Sequence, residues 1–551
     1  MKTVLIGCCL ALILGLPKPG FSQNYNLDLL AHLAFANERI AGVWGYVQAG
    51  REYALVAGEV NLHIVDVTQP EAPKLIVSLP TASHWGKEVR TFSHYAYLCN
   101  QNGAGLVIYD LQKLPSPVPG DYLKKEISQA GGFATYGHTL QIDTSAATLY
   151  LNDGGSQHSW IFNLAPDPFS PAFAGFYPGG VHDGFADRDT FYAAHINEGY
   201  VAVVDAHDKV HPQVLQTFET PGKFPHNTWL TKDRKHLIAA DEIANGVLSV
   251  WDLHDLENVR EVGRYQSSPG KGAVPHNAFV LGDYVIASWY NDGIILLDLT
   301  RPENPVEVGR FDLDELTNSA YSGSWGNYPY LPSGIVLVSD ISRGLLILRP
   351  TFKRACYLEG VALDSLSRQP LVGVQVFVLN DLEPAALTAA QGEFRTGRAK
   401  PGNYTVLFVK PGYRPIQRTI ALRTAEVVKL EVGLLAVDVP AKDPSLLVLA
   451  AETGRPLANL TLVLKSKYQQ LTVRTDAHGW TYVPGLFADT LDVYPDFWGR
   501  LPLRQAPVMA GQPTVIRMER GYYDDFYFDH PWQSEGQAET GFWVRATRNY
   551  D

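Results

Sequence analysis

Short apolar runs, all but one of them closed by an acidic or amide residue, recur along the first two thirds of the chain. They are too brief, and too rich in β-branched and aromatic residues, for helices, and they predict strands. Leu62-His63-Ile64-Val65-Asp66, Leu106-Val107-Ile108-Tyr109-Asp110 and Trp160-Ile161-Phe162-Asn163 come first, and four more runs end at Asp205, Asp252, Asp298 and Arg349. Their spacing, roughly 40 to 50 residues, is the period of a propeller blade. A second landmark precedes each of them: Trp44, Trp85, His138, His182, His226, His276 and Trp325. Between the two landmarks lies a further apolar strand, such as Tyr97-Leu98-Cys99 or Leu237-Ile238-Ala239-Ala240, and a fourth follows, as at 306–311. Four short strands per unit form a meander whose two faces are covered by stacking on neighbouring units.

The pattern therefore predicts an all-β chain with a seven-bladed β-propeller over residues 23–352. The last unit lacks a fourth strand after Arg349, while 27–35 precedes the first unit without a partner, so the N-terminal segment is expected to complete the seventh blade. The acid closing each third strand reads as a turn cap, since an Asp or Asn side chain accepts from backbone N–H groups just after it.

Composition narrows the class. Gly (48) and Pro (36) are abundant and charged residues make up only 19%, which suits turn-rich β structure. A net charge of -12 argues against nucleic acid or an anionic membrane surface as partner, because both reward basic patches. Residues 1–22 carry Lys2, an apolar run and then small residues, the pattern of a secretory signal peptide cleaved after Ser22. Cys8 lies too early for a lipoprotein box. No second long apolar run predicts a transmembrane segment. Beyond the signal only Cys99 and Cys356 remain, so one disulfide is open to the chain and not forced.

Tyr53-Ala54-Leu55-Val56, Val181-His182-Asp183, Pro225-His226-Asn227, Asp241-Glu242, Pro275-His276-Asn277 and 325–334 (Trp-Gly-Asn-Tyr-Pro-Tyr-Leu-Pro-Ser-Gly) together resemble the choice-of-anchor B family of secreted bacterial proteins with LVIVD-type repeats. The resemblance covers roughly 24–350 and implies a surface propeller without a defined chemistry.

From Tyr357 the pattern changes. Leu358-Glu359-Gly360-Val361, 371–376, Gly392-Glu393-Phe394 and 401–406 resemble the carboxypeptidase regulatory-like domain, a small β-sandwich placed at 355–435. Alternating apolar positions and glycine turns support a sandwich independently. Thr453-Gly454-Arg455-Pro456-Leu457 and Thr475-Asp476-Ala477-His478-Gly479 repeat the pattern, giving a second sandwich at 440–520 of carboxypeptidase regulatory-like or Ig-like type. Residues 521–551 read as the start of a further β-domain, which would make the chain a piece of a longer protein, or as a tail. Some sandwiches of this broad shape bind glycans, but no clustered pair of tryptophans argues for it here.

The sharpest chemistry is the register of His138, His182, His226 and His276. Equivalent positions of a propeller converge on its axis, so four imidazoles are expected at one mouth. The second strand of each unit returns to that mouth and is expected to bring Asp153, His195, Asp241 and Glu242, while Asp183 follows His182 directly. Imidazoles with carboxylates suit a divalent metal such as Zn, Fe or Mn, with His138, His182, Asp183, His195, His226, Glu242 and His276 as candidate ligands. The structural alternative is that the histidines hold loops by hydrogen bonds, which Asn227 and Asn277 favour. His63, His158, His207, His211, His236 and His254 fall outside the repeated position and read as surface or turn residues. Trp289-Tyr290 reads as packed core or as an aromatic wall for a sugar or peptide.

Two function classes remain. The leading one is a secreted or cell-surface binding or adhesion protein that engages a glycan or an extracellular protein. The alternative is a metal-dependent enzyme in which Asp183 or Glu242 acts as general base. No nucleophile elbow, phosphate-cradling loop or His-Glu-x-x-His helix names a reaction.

Overall fold

The computed structural model describes residues 24–521, apart from 102–104, 132, 154–157, 314–320, 379–383, 437–443, 467–469, 484–485, 487–489, 496–498 and 509–512. The signal-peptide segment and the tail beyond Gly521 lie outside the described residues. The chain divides into two compact units, one essentially 1–357 and the other essentially 358–551.

Among the described residues the first unit holds seven four-stranded antiparallel sheets. Sheets 1 to 6 are sequential meanders opening with Ile40–Gln48, Val89–Phe92, Thr139–Asp143, Asp183–Asp187, Pro225–Leu230 and Ala278–Leu281. Sheet 7 opens with Ser324–Tyr328, and its outer strand is the N-terminal Leu27–Leu33, which pairs antiparallel with Gly344–Pro350 from Leu27↔Pro350 to Leu33↔Leu345. The opening strands touch one another in cyclic order, and that of sheet 7 returns to that of sheet 1. This is a β-propeller, closed by the expected N-terminal strand.

The strands are apolar on both sides because each sheet is covered on both faces. In sheet 4, Phe191 and Ala193 pack with Tyr150 and Ile161 of sheet 3, while Tyr192 points the other way onto Leu237 and Ala239 of sheet 5. Sheets 1 and 7 meet through Val43, Ala54 and Val56 against Leu337, Leu345 and Ile347. The acids that close the third strands cap turns as expected. Asp66, Asp110, Asn163, Asp205, Asp252 and Asp298 each accept from the backbone N–H two residues on, at 2.9–3.0 Å.

In the second unit a three-stranded and a four-stranded sheet occupy 356–434, and another such pair occupies 445–518 with the same strand order. Phe377, Leu407 and Val409 of the first pair share one apolar cluster with Leu446, Leu462 and Val493 of the second.

Both cysteines are free and buried, so the disulfide left open by the sequence does not form. Cys99 Sγ instead lies 2.7 Å from the His138 carbonyl and accepts from the Glu88 N–H at 3.0 Å.

Candidate functional site

Strand register explains which side chains reach the axis. Backbone pairing aligns Thr139 with Asn152, Asp183 with Ala194 and Asn227 with Ala240, and the Cys99 N–H donates to the Glu88 carbonyl at the equivalent place of sheet 2. The residue just before each aligned position forms a rim: Lys87, His138, His182, His226, His276 and Trp325, with Ala41 in sheet 1. Trp44 therefore does not share the rim, contrary to the landmark reading; it lies three residues further along its strand. Trp85 precedes the rim position of sheet 2, and its ring meets Trp325 at 4.8 Å.

The four expected histidines do gather. Their rings follow one another around the mouth, with centroids 4.5 Å apart for His138–His182, 4.5 Å for His182–His226 and 4.0 Å for His226–His276. Trp325 continues the arc at 4.5 Å from His276. Glu242 reaches in from the end of its strand, with Oε2 3.9 Å from His226 Nε2 and Oε1 3.8 Å from His276 Nε2. Tyr290 donates its hydroxyl to Glu242 Oε1 at 2.7 Å. Of the pair left open between core and wall, Trp289 is fully buried core, whereas Tyr290 turns its oxygen to the site.

The other expected members are engaged elsewhere. Asp183 is buried, accepting from Asn227 Nδ2 at 2.9 Å and from the Gly184 N–H at 2.8 Å. His195 is held inside its sheet, with Nε2 3.1 Å from the Tyr177 hydroxyl and its ring stacked on Tyr200. Asp153 accepts from the His158 N–H, and Asp241 gathers Thr220, Gly222 and Phe224 of one loop. Of the four strand-end candidates, Glu242 is the one that reaches the rim histidines. His63 is not a surface residue either: it is buried between Ser78 and Glu38, at 2.8 and 3.0 Å.

Below the rim lies a second tier three residues on: Trp44, Arg90, Gln141, Phe185, Trp229, Phe279 and Tyr328. Trp229 meets Phe185 and Phe279, each at 4.6 Å, and Trp44 meets Tyr328 at 4.6 Å. The Arg90 guanidinium lies 4.3 Å over Trp44 and pairs with Glu88 Oε2 at 3.1 Å. Trp325 Nε1 donates to the other Glu88 oxygen at 2.7 Å, tying rim to floor. The rim beyond its four histidines is not legible from residue type alone, because Ala41 and Lys87 carry no resemblance to the histidines they align with.

Burial sets the electrostatics. It lowers His138 to about 4 and His276 to about 3, and it holds His226 well below the usual imidazole range with help from the neighbouring imidazoles. Burial raises Glu242 to about 7, partly offset by the Tyr290 hydroxyl, and raises Asp183 to about 6, partly offset by Arg90. The three histidines bind protons more readily unfolded than folded, so their contribution is full above about pH 6.5 and is lost as pH falls toward 3. Glu242 acts in reverse, its contribution full below about 4.5 and lost as pH rises through 7. In chelator-treated protein the urea midpoint is expected to drop between pH 7 and 5, at up to about 1.4 kcal/mol per pH unit for each histidine. Glu242→Gln should steepen the drop. A flat profile would contradict neutral, buried imidazoles.

A second group, His236, Asp252 and His254, lies on sheet 5 away from the mouth, with Asp252 already paired to Arg260 at 3.1 Å. In the second unit a cleft of about 380 Å³ is lined by Phe394 among charged residues such as Glu393, Arg395 and Lys429, and by no tryptophan.

Comparison with known proteins bears on both units. Residues 358–435 match the carboxypeptidase regulatory-like domain family. A stretch of 99 residues is 32% identical to the TonB-dependent transporter Oar of Myxococcus xanthus, covering 17% of this chain and 9% of the transporter. Among solved structures, the β-propeller domain of Myceliophteria thermophila Cps50 (Swd1) overlays at 10% identity and TM-score 0.42, over 58% of this chain and 100% of that one. Chaetomium thermophilum Raptor overlays at 11% identity and TM-score 0.46, over 59% of this chain and 29% of that one. The chain is thus an all-β protein that joins a β-propeller to a segment similar to the carboxypeptidase regulatory-like domain.

Proposed function

We propose that the chain is a secreted or cell-surface binding protein. In this reading a seven-bladed propeller engages a glycan or an extracellular protein at its histidine-lined mouth, and two carboxypeptidase regulatory-like sandwiches serve as spacer or auxiliary modules. The observation that carries it is the convergence of four sheets on one rim where buried nitrogens remain unpaired: among the described residues His138 Nδ1 and His226 Nδ1 have no hydrogen-bond partner. Leaving such a group unpaired costs about 1–3 kcal/mol, a cost that a site built for a ligand recovers on binding. The resemblance to secreted LVIVD-repeat proteins and the short match within a TonB-dependent transporter fit a protein that works at the cell boundary. In the metal-dependent enzyme reading Asp183 is held away from the rim histidines by Asn227 and the Gly184 N–H, which leaves Glu242 as the carboxylate beside them.

Glycan and extracellular-protein arrays probed with the full chain test the reading. One ligand class should bind, and His226→Ala together with His276→Ala should weaken it at least about tenfold, or 1.4 kcal/mol. Equal binding by the native and variant chains would remove the mouth as the binding place. Recovery of the unprocessed chain in the cytoplasm would remove the location.

A further inference from the structure

We infer that the mouth holds one first-row divalent metal ion, ligated by His182 and His226 through imidazole nitrogen and by the Glu242 carboxylate, with His138 and His276 supplying further nitrogens. The inference rests on reading the mouth as the binding place and names what binds there first.

Three observations carry it. The first is distance. One donor atom from each of His182, His226 and Glu242 lies within 4.8 Å of the others, close enough to converge on one ion with small rotamer changes. His138 Nε2 and His182 Nε2 are 3.2 Å apart. Two nitrogens bound to one ion at about 2.0–2.1 Å, at angles between square and tetrahedral, sit about 2.8–3.4 Å apart. The spacing therefore suits two ligands of one ion as well as it suits a hydrogen bond.

The second is orientation. His276 Nδ1 meets the Trp325 carbonyl at 2.5 Å, and a carbonyl only accepts, so Nδ1 carries the proton. Nε2 is left as a lone pair directed toward Glu242. An imidazole whose outer nitrogen donates to a backbone carbonyl while the inner one faces the site has the form of a metal ligand with its second shell in place. Glu242 is likewise held by the Tyr290 hydroxyl.

The third is separation without contact. Glu242 Oε2 stands 3.9 Å from His226 Nε2 without a hydrogen bond, and Oε1 stands 3.8 Å from the His276 Nε2 lone pair, which has no proton to share. Buried carboxylates and imidazoles normally close such gaps. An ion between them accounts for the spacing.

The donor set selects the ion class. Imidazole nitrogens with one carboxylate suit zinc, iron or manganese, whereas calcium and magnesium prefer all-oxygen shells. The group at His236, Asp252 and His254 is the natural control, because it has similar residue types but an Asp already paired with Arg260.

Elemental analysis of the full chain, purified without chelator, gives the primary test, with about one equivalent of zinc, iron or manganese expected. After chelation, titration with Zn2+ should restore one equivalent, Ca2+ should not bind, and His226→Ala or Glu242→Ala should weaken Zn2+ on the order of 100-fold. His254→Ala should leave it unchanged. Should the variants fail to fold, Co2+ added to the native chelated chain provides the second readout, with visible absorption bands of nitrogen and oxygen ligation expected. A metal-free chain that neither takes up Zn2+ nor gives Co2+ bands overturns the inference, as does tight binding lost only in His254→Ala. Array binding that persists in chelator, with no metal uptake, would overturn the metal while leaving the mouth as the binding place.

Discussion

Deletion of residues 24–35 is expected to unfold or oligomerise the propeller, because it removes the outer strand of sheet 7. Leu27–Leu33 makes a full antiparallel ladder with Gly344–Pro350, and Leu27 is 1% exposed. Without it Gly344–Pro350 of sheet 7 becomes a bare edge, a template for pairing with another copy. The seam between sheets 7 and 1 also loses Leu30, Leu33 and Phe35, which pack against it. The loss should exceed about 4 kcal/mol, the range in which single mechanisms are diagnostic. Chemical denaturation and size-exclusion chromatography measure it, and a peptide of residues 24–36 supplied in trans should restore part of the stability by strand addition. A truncated chain that stays monomeric and melts within about 2 °C of the parent would mean that the ring closes by another route.

The second large effect is expected at Arg90→Leu. Arg90 and Glu88 are 3% and 5% exposed, and the guanidinium also donates to the Val89 carbonyl at 2.9 Å. Removing one member of a buried pair strands the other charge, typically at about 3–5 kcal/mol, whereas removing both is often close to neutral. Among the described residues Glu88 keeps only the Trp325 indole in the single variant. Arg90→Leu should therefore fall sharply in urea midpoint, and Arg90→Leu combined with Glu88→Gln should regain most of the loss. If the double variant is no better than the single one, the pair is not the source of the effect.

Much of this was legible in the chain. The repeat of strands closed by Asp, the turn-capping role of those acids and the orphan N-terminal strand all follow from local patterns that the backbone must satisfy wherever the sheets sit. The convergence of His138, His182, His226 and His276 was legible because they share one register. What the pattern hid were positions where side-chain type and register part company. Trp44 resembles its landmark partners but belongs to the tier beneath, and the rim position in its sheet is Ala41. Asp183 and His195 looked like ligands by adjacency, yet Asp183 finds Asn227 and His195 finds Tyr177, partners fixed by packing between strands far apart in sequence. Tyr290 gave no sign of its hydroxyl's role, since its neighbour Trp289 is plain core.

The tier of Trp44, Arg90, Phe185, Trp229 and Phe279 has one more consequence. Phe185, Trp229, Phe279 and Trp44 touch in a row that ends under the Arg90 guanidinium. A ligand seated among the imidazoles would therefore rest on ring faces, a floor that favours flat or apolar groups over charged ones.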